Sequence, residues 1–236
     1  MTAIFKRELS AYFRSPIGYV FCAVYLFFSA LYFRAVLLGR QSSEFPQIYY
    51  GMLSIILLIL PVLTMRLFSE ERRQKTDQIL ITSPVSIFSL VLGKFLSALT
   101  VYAGCTLFTL LYAVVFRIFT GVSPGWALVF GNVLGAILFG AAFIAVGMFI
   151  SCLTESQVVA AIGTFFIATV FILLDVIPML VTNEVVLSII EWISFVGRYT
   201  PFTEGLLDFS SVVFFLSATA LFIFLTMQSI ERRRWE

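Results

Sequence analysis

Apolar residues fall in long blocks along this chain, and the polar residues between them are few and clustered. The blocks cover 17–38, 48–67, 88–116, 126–153, 158–180 and 212–227. Several exceed the roughly 18–20 residues that a helix needs to cross about 30 Å of hydrocarbon. The pattern predicts an all-α integral membrane protein with six transmembrane helices, forming one polytopic domain over residues 1–236. Some blocks are longer than the membrane requires, so tilt or projecting ends are expected.

Two shorter segments carry helical periodicity without the length to cross. Over residues 2–14, Ile4, Phe5, Leu9, Tyr12 and Phe13 fall toward one side of a helix, with Lys6, Arg7, Glu8 and Arg14 mostly elsewhere. This reads as an amphipathic helix lying in the headgroup layer, stopped at Ser15-Pro16. A plain extension of the first span is the alternative. Between the fifth and sixth blocks, Val185, Val186, Ile189, Ile190, Ile193 and Phe195 recur at helical spacing. They predict a short extracytoplasmic helix that ends before Gly197.

Composition agrees with the pattern: 61% hydrophobic, 17% aromatic and 12% charged over 236 residues. Charge placement sets the orientation. With the amino terminus inside, 11 Lys and Arg residues fall in the cytoplasm and 4 (Arg34, Arg40, Arg117 and Arg198) fall outside. Positive residues favour the cytoplasmic side, so both termini are expected there.

Candidate chemistry is sparse. There is no histidine, which excludes a His-ligated zinc and any nucleophile paired with histidine within the chain. Cys22, Cys105 and Cys152 are far apart in sequence and read as small apolar packing residues. Gly93-Lys94 is no phosphate-binding loop: Phe95 follows it and no glycine precedes it at the required distance. No catalytic, metal or cofactor site is therefore expected, and no nucleic-acid patch is visible. Asp175 lies in the fifth block, where an ionisable group is a functional candidate by default, although its place near the outer end also fits the headgroup layer. Thr154 and Glu155 mark a tight turn before the fifth span, with Glu155 expected near the polar cap of that helix. Pro61 is expected to kink the second span. Gly131, Gly135, Ala136, Gly140, Gly147 and Ser151 put small residues at helical spacing on the fourth. Such a face suits close helix packing within the chain, or a seam between two chains.

The most polar stretch is FSEERRQKTDQILITSPVS, residues 68–86. Ser69 can cap a helix whose first turn holds Glu70 and Glu71. Glu71 with Lys75, and Arg73 with Asp77, are opposite charges at i,i+4, and Pro84 ends the pattern. A helix of about 14 residues is predicted, charged early and apolar at Ile79, Leu80 and Ile81. Its greasy end calls for a protein groove or the headgroup layer, and its charged end for water or a partner.

The run from Met65 to Arg73, then Thr76-Asp77, Leu80, Thr82, Pro84 and Gly93-Lys94, resembles the signature of type-2 ABC transporter permeases. Phe5-Lys6-Arg7-Glu8-Leu9 with Ser15-Pro16 resembles that family's amino-terminal interfacial helix. Residues 151–157 resemble its second cytoplasmic turn. Within the family the chain looks closest to the gliding-motility-associated (GldF-like) permeases, which are similarly small and end in a basic tail like Arg232-Arg233-Arg234-Trp235. One departure is Lys75, where the family usually has glycine; a more continuous helix is expected from it.

The resemblance implies a permease subunit of an ATP-driven transporter, an exporter, in a bacterial inner membrane. It implies a cytoplasmic coupling helix after the second span, with Glu70, Glu71, Arg72, Arg73, Thr76, Asp77, Leu80 and Pro84 contacting a separate ABC ATP-binding subunit present in two copies. ATP and Mg would be bound by that subunit. A second permease half, identical or related, and an auxiliary extracytoplasmic subunit are further implied partners besides the lipid bilayer. A competing reading is an ATPase-coupled scaffold or mechanical regulator that moves no substrate. An intramembrane hydrolase is disfavoured by the missing histidine.

Overall fold

The computed structural model describes residues 1–38, 45–75, 86–177, 187 and 192–234. Among the described residues the chain is helical, without strands. Six helices are long and apolar enough to cross a membrane: Pro16–Val36, Phe45–Arg73, Ile87–Thr120, Trp126–Leu153, Gln157–Leu174 and Phe209–Arg232. The fourth block was bounded by sequence as the structure bounds it. The sixth is longer than its apolar block because the helix begins at Phe209 and runs on to Arg234.

In chain order, α1 is Thr2–Arg14 and α2 Pro16–Phe33, closing in a π-helical turn, Arg34–Leu38. Next come α3 (Phe45–Thr64), α4 (Ser69–Arg73), α5 (Ile87–Phe108) and α6 (Leu110–Thr120). The chain finishes with α7 (Trp126–Leu153), α8 (Gln157–Val176), α9 (Phe195–Thr203) and α10 (Phe209–Arg234). Ser15 between α1 and α2 is extended at φ −104° and ψ 157°, as a residue before proline must be. The amino-terminal helix is therefore a separate element and not a continuation of the first span.

Helix α7 is the axis of the bundle: 72% of its apolar window is buried inside the protein, against 17% for α8. Its small residues explain this. A Cβ on Gly140 would meet Tyr102 Cε1 at 2.1 Å, one on Gly135 would meet Phe202 Cγ at 2.7 Å, and one on Gly147 would meet Thr64 Oγ1 at 2.3 Å. Neighbours from α5, α9 and α3 thus sit against the bare backbone of α7, where dispersion at close approach holds helices together in lipid. The small-residue face is used within the chain and is not open as a seam.

Aromatic rings fill the far half. Phe195, at the start of α9, lies 4.5 Å from Phe171 and 5.1 Å from Phe143 by ring centroids. Ser194 caps this helix, accepting from the Gly197 amide at 2.7 Å. The helix expected before Gly197 therefore requires correction: Gly197 and Pro201 lie inside α9. Residues 185, 186, 189 and 190 of that expectation lie outside the described residues.

Hydroxyls cross-link the spans. Tyr25 meets Thr106 at 3.1 Å, Tyr49 meets Thr109 at 2.8 Å, and Tyr102 donates to the Ala136 carbonyl at 2.7 Å. Pro61 lies inside α3, three residues before its end.

Candidate functional site

One end of the bundle gathers α1, α4, the start of α5 and the turn between α7 and α8. The last turns of α10 share it, since Cys152 Sγ lies 3.7 Å from Ser229 Oγ. Both ends of the chain are thus at the same end of the bundle, as an even number of crossings requires.

After α3 the chain makes a tight turn over Met65 to Phe68 before α4 begins. Ser69 was expected to cap α4. It does not: it is the first helical residue and its hydroxyl turns back to the Met65 carbonyl. The cap comes from another span. Ser151 Oγ on α7 accepts from the amides of Phe68 at 3.1 Å and Ser69 at 3.2 Å, and donates to Met65 O at 2.9 Å. The orphan donors of a helix start are thereby satisfied across the fold.

The expected helix of about 14 residues also requires correction. Helix α4 has 5 residues, ends at Arg73 and is followed by Lys75 at φ 55°. A left-handed residue breaks a helix and suits glycine best. Lys75 stands where the resembled family has glycine, and it adopts a glycine's conformation instead of continuing the helix. The pairing of Glu71 with Lys75 gives way to longer-range pairs, and among the described residues an i,i+4 pair forms between Arg66 and Glu70 at 3.0 Å.

Those longer-range pairs organise this end. Lys94, on α5, is 1% exposed; its ammonium lies 2.9 Å from Glu71 Oε1 and 3.4 Å from Glu8 Oε1. It also donates to the Leu67 carbonyl at 2.6 Å and lies 5.0 Å from the centre of the Phe68 ring. Arg7 reaches both carboxylates, Glu8 at 2.6 Å and Glu71 at 2.9 Å. Two cations and two carboxylates from α1, α4 and α5 thus balance in one cluster. Beside it, Arg66 donates to Ser15 Oγ at 2.6 Å, and Tyr12 donates to the Leu63 carbonyl at 2.9 Å. Burial, helped by Glu8, pushes the Tyr12 phenol above its ordinary pKa, so it remains a donor.

Arg72 points the other way. It donates to the Cys152 carbonyl at 3.2 Å and pairs with Glu155 at 3.2 Å. Thr154 Oγ1 accepts from the Ser156 amide, and Ser156 caps α8; the cap expected near Glu155 is one residue later. Of the residues singled out by sequence, Glu70, Glu71, Arg72 and Glu155 are drawn together here through the chain's own ion pairs. Arg73, Gln74 and Lys75 are exposed. Thr76, Asp77, Leu80 and Pro84 lie outside the described residues. Asp175 is in the last turn of α8, about 27 Å along that helix from Gln157 at 1.5 Å per residue, and its side chain lies outside the described residues. Arg7, Glu8, Lys94 and Ser151 lie in the segments that carry the resemblance, but sequence reading did not join them to α4. A lysine inside an apolar block was a signal for the pairing, since it needs a partner. Among the described residues no group of three or more Cys, Asp or Glu is placed to hold a metal ion.

A search of curated proteins finds no match to this chain. The model of the ABC-2 family transporter proteins matches residues 33–230. The chain belongs to the ABC-2 transporter family. It is a multi-pass transmembrane permease component of an ABC transporter, and the family implies an ATP-binding partner protein. The ABC-2 match takes in Glu71, Lys94, Ser151 and Glu155; Arg7 and Glu8 precede it.

Proposed function

We propose that this ABC-2 permease is driven by ATP hydrolysis in a separate subunit, two copies of which bind beneath it, and that it works as an exporter. The 11-to-4 division of positive residues supports a cytoplasmic place for the amino and carboxyl termini, α1 and α4. A bacterial inner membrane, a second permease half, identical or related, and kinship with the gliding-motility-associated permeases follow from the resemblance of residues 65–84 and of the basic tail.

The observation that carries this reading is the linkage of α4. A five-residue helix beneath the bundle is tied to α1 and α5 through Glu71 and to the α7–α8 turn through Arg72. A push on this segment therefore reaches three separate parts of the membrane domain. In the proposed complex, Arg73, Lys75, Thr76, Asp77, Leu80 and Pro84 meet the ATP-binding subunit. Glu70, Glu71 and Arg72 hold the segment to the bundle.

The test is co-purification of a tagged permease with an ABC ATP-binding subunit from the same cell, followed by ATP hydrolysis in lipid nanodiscs. Wild type is expected to retain the subunit. Thr76→Arg is expected to lose it, or to lose substrate-stimulated hydrolysis, while the permease stays folded. Retention of full coupling in Thr76→Arg would remove the segment from the interface. Hydrolysis without movement of any candidate cargo in liposomes would favour the scaffold reading.

A further inference from the structure

A lysine at 1% exposure inside an apolar helix is costly, and a methionine of similar volume would pack there without paired charges. The arrangement around Lys94 indicates what the charge adds. Its ammonium contacts three separate pieces of chain: Glu8 on α1, Glu71 on α4, and the Leu67 carbonyl in the turn between α3 and α4. Glu8 and Glu71 are held a second time by Arg7. The approach is prepared by the backbone. Gly93 precedes the lysine, and a Cβ there would meet Ile4 Cγ2 at 3.0 Å, so the glycine lets α1 lie close enough for Glu8 to reach. Exposed ion pairs are slack and screened by water; pairs out of water are directional and stiff.

We propose that Lys94 is a positioning residue that locks α1 and the α3–α4 turn to the third span, so that force applied at α4 moves all three as one body. The proposal rests on the permease reading above for the source of the force. The lock itself is a property of this chain. A purely apolar contact at this place would fill space equally well but would let α1 and α4 slide, because dispersion has no preferred direction.

The experiment places spin labels at Lys6→Cys and Gln74→Cys, both exposed, with Cys22, Cys105 and Cys152 replaced by alanine. Their separation is read by pulsed electron paramagnetic resonance, in nanodiscs with the ATP-binding subunit, without nucleotide and after trapping with ATP and vanadate. Wild type is expected to keep one narrow separation in both states. Lys94→Met is expected to broaden it and to make it change with nucleotide, and Lys94→Arg to restore it. A wild-type separation that changes with nucleotide, or a Lys94→Met separation as narrow and constant as wild type, would overturn the lock. Should Lys94→Met not fold, Glu8→Gln, which leaves the pair of Lys94 with Glu71 intact, is expected to broaden the same separation; an unchanged one overturns the proposal. If no ATP-binding subunit co-purifies with wild type, the proposed coupling to a separate ATP-binding subunit fails. The nucleotide-free comparison then decides the lock: a broader separation in Lys94→Met supports it, and an unchanged one overturns it.

Discussion

Ser151 Oγ lies 3.1 Å from the amide nitrogen of Phe68, 83 residues earlier in the chain. A fully buried serine on the central helix thereby serves as the cap of a helix it does not belong to. Removing it strands two amides, those of Phe68 and Ser69, while the Met65 carbonyl keeps the Ser69 hydroxyl as a donor. Each buried group left unpaired costs about 1–3 kcal/mol. Ser151→Ala is therefore expected to lower stability by about 2–4 kcal/mol, read as a fall in unfolding temperature in detergent. A change below about 0.5 kcal/mol would mean that the amides find other acceptors.

Lys75 holds φ at 55°. A left-handed conformation costs a side-chain-bearing residue about 1–2 kcal/mol, which glycine avoids. Lys75→Gly is expected to be neutral or stabilising by up to about 1 kcal/mol, because glycine's freedom in the unfolded chain offsets part of the gain. Lys75→Val is expected to destabilise. Equal unfolding temperatures for the two variants would count against the left-handed turn.

The glycines separate into filled and open positions. Gly140 has the Tyr102 ring against it, whereas a Cβ on Gly104 meets nothing within 4 Å. Gly140→Ala is expected to cost about 1–3 kcal/mol by overpacking, and Gly104→Ala to gain up to about 1 kcal/mol in helix propensity. Thermal unfolding of the two single variants, side by side, checks the sign of each.

Arg72 and Glu155 form a pair of unequal members. Glu155 keeps 69% of its side chain exposed and Arg72 19%. Glu155→Ala is expected to cost under about 1 kcal/mol, as exposed ion pairs do. Arg72→Ala also removes the donor to the Cys152 carbonyl and is expected to cost about 1 kcal/mol more. A double-mutant cycle on unfolding temperature separates the pair from the carbonyl contact.

Asp208 precedes α10 and accepts from the Ser211 hydroxyl at 2.6 Å and from the amides of Ser211 and Ser210. The Ser211 hydroxyl bond leads in holding its carboxyl below the usual value, with both amides and the nearby Arg198 assisting. The folded state thus prefers the ionised form. Its contribution is present above the ordinary carboxylate range near 4 and is lost as pH falls through the lower folded value. The unfolding-temperature difference between wild type and Asp208→Asn is expected to be larger at neutral pH and to shrink in acid.

The resemblance at residues 65–84 led to the same family as the match over 33–230, but it missed the local conformation. Lys75 was read as continuing a helix because it stands where the family usually has a helix-breaking glycine. The structure breaks the helix there, with Lys75 at φ 55°, and Glu71 pairs with Lys94 and Arg7 instead. A five-residue helix has little propensity of its own to resist.

Sequence alone determined the six spans, because the need to keep polar atoms out of hydrocarbon acts on every residue of a crossing helix and leaves an uninterrupted record. It likewise marked residues 68–86 as the place where charge is concentrated. The partners of those charges were decided only by tertiary structure. Glu8, Glu71 and Lys94 come from three elements far apart in the chain, and Ser151 serves amides from a different span. A burial pattern is local and repeats with the helix; a Coulombic or hydrogen-bonded contact depends on distance in space, which no periodicity encodes. Likewise, the glycines of α7 announced a close-packed face, but only the packed bundle chose Thr64, Tyr102 and Phe202 to fill it.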